Sequence, residues 1–241
     1  MKGISIRFFD ELTALLPRGQ GERALNIPFM GRRSVKDLIE SLHIPHTEVG
    51  SIRVNGGLQD FSYVLTPADR IEVYPARCLT KPMPPEPAFV CDVHLGKLAR
   101  LLRILGFDVD FANHRDDAAL ARISQQDNRI LLTRDRRLLM RGCVCYGQLI
   151  RSTDVELQVK EVIRRFDLKG RCRPFSRCPA CNGLLQKMND REPPFEEYRN
   201  TVPPGVRQWN REYAVCPVCR KVYWKGSHYD RLQRRLAAYL K

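Results

Sequence analysis

Residues Phe89 to Phe111, FVCDVHLGKLARLLRILGFDVDF, decide the fold. A short apolar run ends on Asp92. Helical spacing follows through Leu95, Leu98, Leu101, Leu102 and Leu105, and Gly106 leads into a second short apolar run. Strand, helix, glycine stop and strand in that order predict the first βαβ unit of a parallel sheet. Asp92 then stands at the carboxyl end of the first parallel strand, where open α/β sheets place their chemistry.

The pattern continues downstream. Ala118 to Ile123 reads as a short helix opened by Asp116 or Asp117, either of which would serve as an N-terminal cap. Arg129 to Thr133 is a compact apolar strand, and Asp135 is a second acidic residue just past a strand end. A short helix over 136–140, a brief strand over 144–146 and an amphipathic helix over 154–166 complete the core. Neither G-x-G-x-x-G nor G-x-x-x-x-G-K-S/T occurs, which argues against dinucleotide chemistry and P-loop ATPases.

Carboxylates gathered at strand ends repel one another unless a cation holds them. Oxygen-rich clusters suit Mg²⁺ or Mn²⁺, which also reach substrate phosphates and activate water for phosphodiester cleavage. Asp92, Asp117 (or Asp116) and Asp135 are the candidate ligands. Lys97, Arg100 and Arg134 are the candidate phosphate contacts, with Lys97, one turn into its helix, placed to face the site. His94 and His114 lie close in sequence to these acids, without a spacing that assigns them a role.

Cys178-Pro-Ala-Cys181 and Cys216-Pro-Val-Cys219 form two C-x-x-C knuckles separated by 34 residues. Four thiolates so paired make the tetrahedron of a structural Zn²⁺, closed to catalysis because no coordination position stays open. Cys172 lies outside both knuckles, and Cys78, Cys91, Cys143 and Cys145 read as apolar fillers or edge residues. Trp209, Tyr213, Tyr223, Trp224 and Tyr229 alternate with basic residues here. Such a surface stacks single-stranded nucleic acid, and aromatics also fill the core of a small zinc ribbon. His228 either reaches a phosphate or hydrogen-bonds within the ribbon.

At this point a resemblance becomes specific. CDVHLGKLARLLRILGFDVDF, then an acidic residue opening a helix, then RILLTRDRRL, is similar to a family of PIN-like ribonucleases named after the C-terminal domain of a nematode mutator exonuclease. The motif falls on Asp92, Leu95-Gly96-Lys97-Leu98-Ala99-Arg100, Leu105-Gly106-Phe107-Asp108, Asp117 and Leu132-Thr133-Arg134-Asp135. The resemblance implies Mg²⁺- or Mn²⁺-dependent cutting of RNA by the acidic cluster, with a zinc-ribbon ending around Arg177 to Asn182 and Val222 to His228. The usual PIN set has four acidic residues, of which three are matched here.

The first 77 residues read as a small domain of their own, in the order ββαββ. Its strands lie near Ile4 to Phe8, Ala24 to Phe29, Ser51 to Val54 and Arg70 to Tyr74, and its helix is capped by Ser34. That order resembles the ubiquitin-like β-grasp fold, and the RIEVYPA ending resembles small sulfur carriers. Carriers end in a free Gly-Gly. Here Pro75-Ala76-Arg77-Cys78 runs on, so the domain reads as a docking module for a protein partner. LTKPMPPEPA, with four prolines in ten residues, is a stiff extended linker.

Composition agrees. The 241 residues are 43% apolar and 28% charged, as in globular proteins. No secretory leader or membrane span is evident, so a cytoplasmic protein is expected. The net charge of +14 is uneven, with 15 basic against 6 acidic residues after position 170. An RNA partner suits that end. The expected architecture is therefore multidomain: a β-grasp domain (1–77), a linker (78–88), a three-layer α/β PIN-like core with a parallel sheet (89–170) and a zinc ribbon (171–241). The expected activity is metal-dependent RNA cleavage. The alternative is a non-catalytic RNA-binding adaptor with a degenerate acidic site.

Overall fold

The computed structural model describes residues 3–21, 23–29, 31–76 and 86–240. The proline-rich stretch falls mostly outside these. The chain forms two compact units, one of residues 1–94 and 112–151, the other of 95–111 and 152–241.

The first unit opens with β1 (Gly3–Phe8), β2 (Leu25–Pro28), α1 (Val35–Ser41), β3 (Val49–Val54), β4 (Gly57–Gln59) and β5 (Arg70–Pro75). They make a mixed sheet in the order β2-β1-β5-β3-β4, with β1 and β5 parallel. Period-two burial of Ile4, Ile6 and Phe8 turns one face of β1 inward, as the alternation predicts. Ser34 caps α1 in a reciprocal box with Asp37, the serine hydroxyl accepting from the Asp37 N–H at 3.1 Å. Ser34→Ala should cost about 1 kcal/mol in a denaturation midpoint.

The other end of α1 is less ordinary. His43 N–H donates to the Glu40 carbonyl and Ile44 N–H to the Ile39 carbonyl, which is a Schellman ending. The left-handed position that glycine usually fills is held by His43, at φ 63°. A side chain there costs roughly 1 kcal/mol that glycine would not.

The chain continues through β6 (Ala88–Cys91), α2 (Gly96–Ile104), β7 (Asp108–Phe111), α3 (Asp117–Gln126), β8 (Ile130–Thr133), α4 (Arg136–Leu139), β9 (Gly147–Leu149) and α5 (Val155–Arg165). In the first unit β6, β8 and β9 run parallel, with Cys91 opposite Leu132 and Leu131 opposite Gly147. Every residue of β8 is buried, as a central parallel strand requires. The strand expected over 144–146 lies instead at Gly147–Leu149. Glycine reads as a breaker in sequence, yet Gly147 packs so close to the Leu139 side chain that a Cβ would collide with it, and the Leu131 carbonyl would be a tight contact at 3.3 Å.

Val90, Leu131, Leu138, Leu139, Val144 and Leu149 share one apolar core with Ile6, Leu12, Leu38 and Val73 of the N-terminal sheet. Polar contacts reinforce it. The His46 ring spans Glu40 (2.7 Å) and the Val144 carbonyl (2.9 Å), and Glu48 accepts from the Leu149 N–H at 2.8 Å.

In the second unit α2 packs on α5. Beyond them come β10 (Gln186–Asn189), α6 (Glu196–Arg199), α7 (Pro204–Trp209), β11 (Glu212–Val215), β12 (Val222–Trp224) and α8 (Ser227–Leu240). The three strands form an antiparallel sheet in the order β10-β11-β12. Phe195, Tyr198, Val202, Tyr213 and Val215 fill a small core against it. Arg103, buried on α2, donates to the carbonyls of Val109 (2.8 Å) and Ala180 (3.0 Å), tying the helix to the first cysteine knuckle.

Gly106 has φ 98°, and a Cβ there would overlap the Arg173 carbonyl. Gly106→Ala should therefore destabilise the protein by roughly 2–3 kcal/mol, read as an earlier urea midpoint. Helix α8 has no counterpart in the sequence reading. Its Leu236 and Tyr239 are buried, and Arg235 and Tyr239 clamp Glu156 of α5. Burial works against the Glu156 charge, but these two partners outweigh it and hold the carboxyl below its usual range. No helix among the described residues is long and apolar enough to cross a membrane.

Candidate active site and metal centre

Asp92 follows directly on β6 and is 7% exposed. A carboxylate so buried needs donors, and it has them. Oδ1 accepts from the His94 N–H at 2.9 Å, and Oδ2 accepts from the Thr133 hydroxyl at 2.7 Å and, at 3.5 Å, from the Arg134 N–H. The Thr133 oxygen in turn accepts from the Asp135 N–H at 3.0 Å. One buried hydroxyl at the end of β8 thus sets the spacing of the two aspartates.

The remaining acids divide their work. Asp116 caps α3, its carboxylate accepting from the Ala119 N–H at 2.7 Å. Asp117 is thereby released from capping. It is exposed and has no polar partner among the described residues. Asp135 caps α4 through Oδ1, which accepts from the Arg137 N–H at 2.7 Å, and Oδ2 stays open.

Asp92, Asp117 and Asp135 line one cavity of about 770 Å³ in the first unit. Arg115, Arg134, Arg136 and Arg137 line it as well, so carboxylates and guanidinium groups share one cavity. That donor set suits a hard, hydrated cation and a polyanionic substrate together. His94 also lines the cavity, whereas His114 is exposed and does not. Lys97 and Arg100 are exposed on α2, in the second unit.

Thr133 was quoted within the sequence motif without a role, since a threonine ending an apolar strand carries no signal of its own. His43, Leu16 and Leu42 also line the cavity, about fifty residues or more before Asp92. Nothing in the sequence links these stretches.

The second cluster is plainer. The Sγ atoms of Cys178, Cys181, Cys216 and Cys219 lie within 4.8 Å of one another. Among the described residues this is the one group of three or more such ligands gathered so closely, so the three aspartates stand further apart than the thiols do. Cys178–Cys219 is 3.6 Å and Cys181–Cys216 is 3.3 Å. Both are far from disulfide length and close to the roughly 3.8 Å edge of a zinc–sulfur tetrahedron.

The charges agree with a cation between them. Burial raises the Cys178 thiol, but the Tyr223 hydroxyl at 3.1 Å and two backbone N–H groups bring it down to about 7. Burial and the neighbouring thiols push Cys219 up to about 12. Without a cation the four sulfurs cannot all be thiolates. The set fits Zn²⁺.

Trp224 is half-buried against the small core of Phe195 and Tyr213, while Trp209 is 58% exposed. His228 is exposed on the first turn of α8.

Two family models and one curated relative match the chain. The Mut7-C RNAse domain family matches residues 87–236, and the Mut7-C ubiquitin family matches residues 1–80. The human protein named Exonuclease mut-7 homolog is 35% identical over 159 residues, which is 61% of this chain and 18% of that protein. The chain therefore spans less than a fifth of that relative's length. No solved structure gives a significant match.

Proposed function

Because the chain belongs to the Mut7-C RNase family, with a ubiquitin-like N-terminal domain, we propose that it is a metal-dependent ribonuclease cutting RNA phosphodiester bonds at the Asp92–Asp117–Asp135 cavity. The observation that supports this most is one cavity lined by three carboxylates and four arginines. Asp117 and the open oxygen of Asp135 are free to take a cation, and Asp92 is fixed beside them by Thr133. Bound Mg²⁺ or Mn²⁺ would supply an activated water and charge neutralisation at the leaving oxygen. Arg134 and Arg137 would hold the phosphates flanking the cut, and Lys97 and Arg100 of α2 are further candidate contacts to RNA.

In this reading residues 89–170 are a PIN-like three-layer core and 171–241 a zinc ribbon. Its zinc folds the module, and Trp224 and His228 offer stacking and hydrogen bonding to RNA. The division at 1–77 and 78–88, a protein partner at the N-terminal domain and a cytoplasmic site of action belong to the same proposal.

The second reading, an RNA-binding adaptor, is favoured by one observation. The three carboxylates are not drawn together as the four thiols are. Incubating the pure protein with a mixed RNA pool, with and without Mn²⁺, and sequencing the ends separates the two. New Mn²⁺-dependent ends are expected. RNA that is bound and left intact would establish the adaptor.

A further inference from the structure

The cavity has a second wall. Leu15, Leu16 and Pro17 from the turn after β1, and Leu42 and His43 from the end of α1, line it together with the acidic residues. Leu15 and Leu16 are buried in the core, whereas Pro17, Leu42 and His43 keep surface open. Arg136 rivets the two sides, donating to the Leu15 carbonyl at 2.8 Å and, at 3.5 Å, to the His43 carbonyl. Its guanidinium is thereby spent on backbone. Arg134 and Arg137 are exposed, and their guanidinium groups have no partner among the described residues. The cavity therefore offers an apolar ledge with one imidazole on one side, and carboxylates with unspent cations on the other. This is the division of surface a single nucleotide presents: a flat base and a charged phosphate.

We infer that the ubiquitin-like domain supplies the base-binding wall of the nuclease cavity, with Pro17, Leu42 and His43 receiving one unpaired base of single-stranded RNA beside Asp92 and Asp135. The inference rests on the ribonuclease reading and adds the form of the substrate. A paired base is stacked on both faces and cannot lie against a ledge, so duplex RNA is excluded. His43 bears on this directly. It holds the left-handed position of a Schellman ending, where glycine would fold better, and it is an exposed residue of the cavity lining.

The test uses the full chain carrying Asp92→Asn, so that RNA is bound without being consumed. Affinities are measured for a short RNA, its duplex, and a series in which each nucleotide in turn is made abasic. The single strand should bind better than the duplex, and one abasic position should weaken binding about tenfold. His43→Gly and Leu42→Glu, each added to this background, should weaken the intact RNA by a similar factor. They should also abolish the penalty at that one abasic position. His43→Gly should raise the urea midpoint while it lowers affinity, which separates loss of a contact from loss of fold. An abasic penalty that arises at the zinc module would persist in both variants, so a penalty that disappears in them belongs to the wall. An abasic series that is flat in the parent, or unchanged by both variants, would overturn the wall. It would leave the ribonuclease reading standing if the unmodified protein still cuts RNA. The abasic signature in a protein that never cuts would keep the wall and remove the nuclease.

Discussion

Asp92→Asn is expected to lower the rate of RNA cleavage by roughly 10² to 10³-fold while leaving RNA affinity nearly unchanged. The asparagine oxygen can accept from the Thr133 hydroxyl, as Oδ2 does at 2.7 Å. Its amide nitrogen then faces the His94 N–H and cannot accept from it, so one hydrogen bond at the β6 end is lost while the strand itself is kept. The substitution removes the charge that a divalent ion needs. The arginines that line the cavity are untouched, so binding should persist. Folding without metal should change little, because relief from a buried negative charge is offset by the acceptor that the His94 N–H loses. Single-turnover cleavage and filter binding, run on preparations in which Asp135→Asn serves as a second inactive control, decide it. A parental rate in Asp92→Asn would end the metal-dependent mechanism.

Cys216→Ser should release the zinc and unfold the module that follows residue 172. Binding energies of structural zinc, about 10–16 kcal/mol in isolated fingers, exceed what a core of five buried residues supplies. The damage should also reach α2, because Arg103 donates to the Ala180 carbonyl in the first knuckle and would lose that acceptor. The first unit should persist on its own core. Zinc stoichiometry and limited proteolysis read both parts. A protease-resistant C-terminal fragment free of zinc would contradict the expectation.

Much of this architecture was legible because its signals are local. The Leu98–Leu105 spacing, the Ser34 cap and the paired knuckles each lie within a few residues and have a single physical meaning. What escaped depends on distance or on context. Gly147 looks like a stop, and only its pairing with Leu131 and the Leu139 side chain packed against it show that it is a strand residue set for close approach. Asp116 and Asp117 are equivalent as letters. The helix start distinguishes them by giving the first to the Ala119 N–H. Helix α8 was hidden by its arginines, since two buried residues in fourteen leave little apolar pattern to read. The cavity wall was invisible for a different reason. Leu16 and His43 lie far before Asp92 in the chain, and no periodicity spans such a gap.

The second unit is assembled from residues 95–111 and 152–241, two stretches separated by forty others. During synthesis, then, α2 leaves the ribosome with Leu98, Leu101 and Leu102 uncovered. Its partner α5 follows only some fifty residues later, and the carbonyl of Ala180 that receives Arg103 later still. At roughly 5–20 residues per second, that apolar face waits for seconds in water or on a chaperone. Slow translation between codons 112 and 180 should therefore raise aggregation of the nascent chain, and Leu101→Gln should lessen it at the expense of the finished fold.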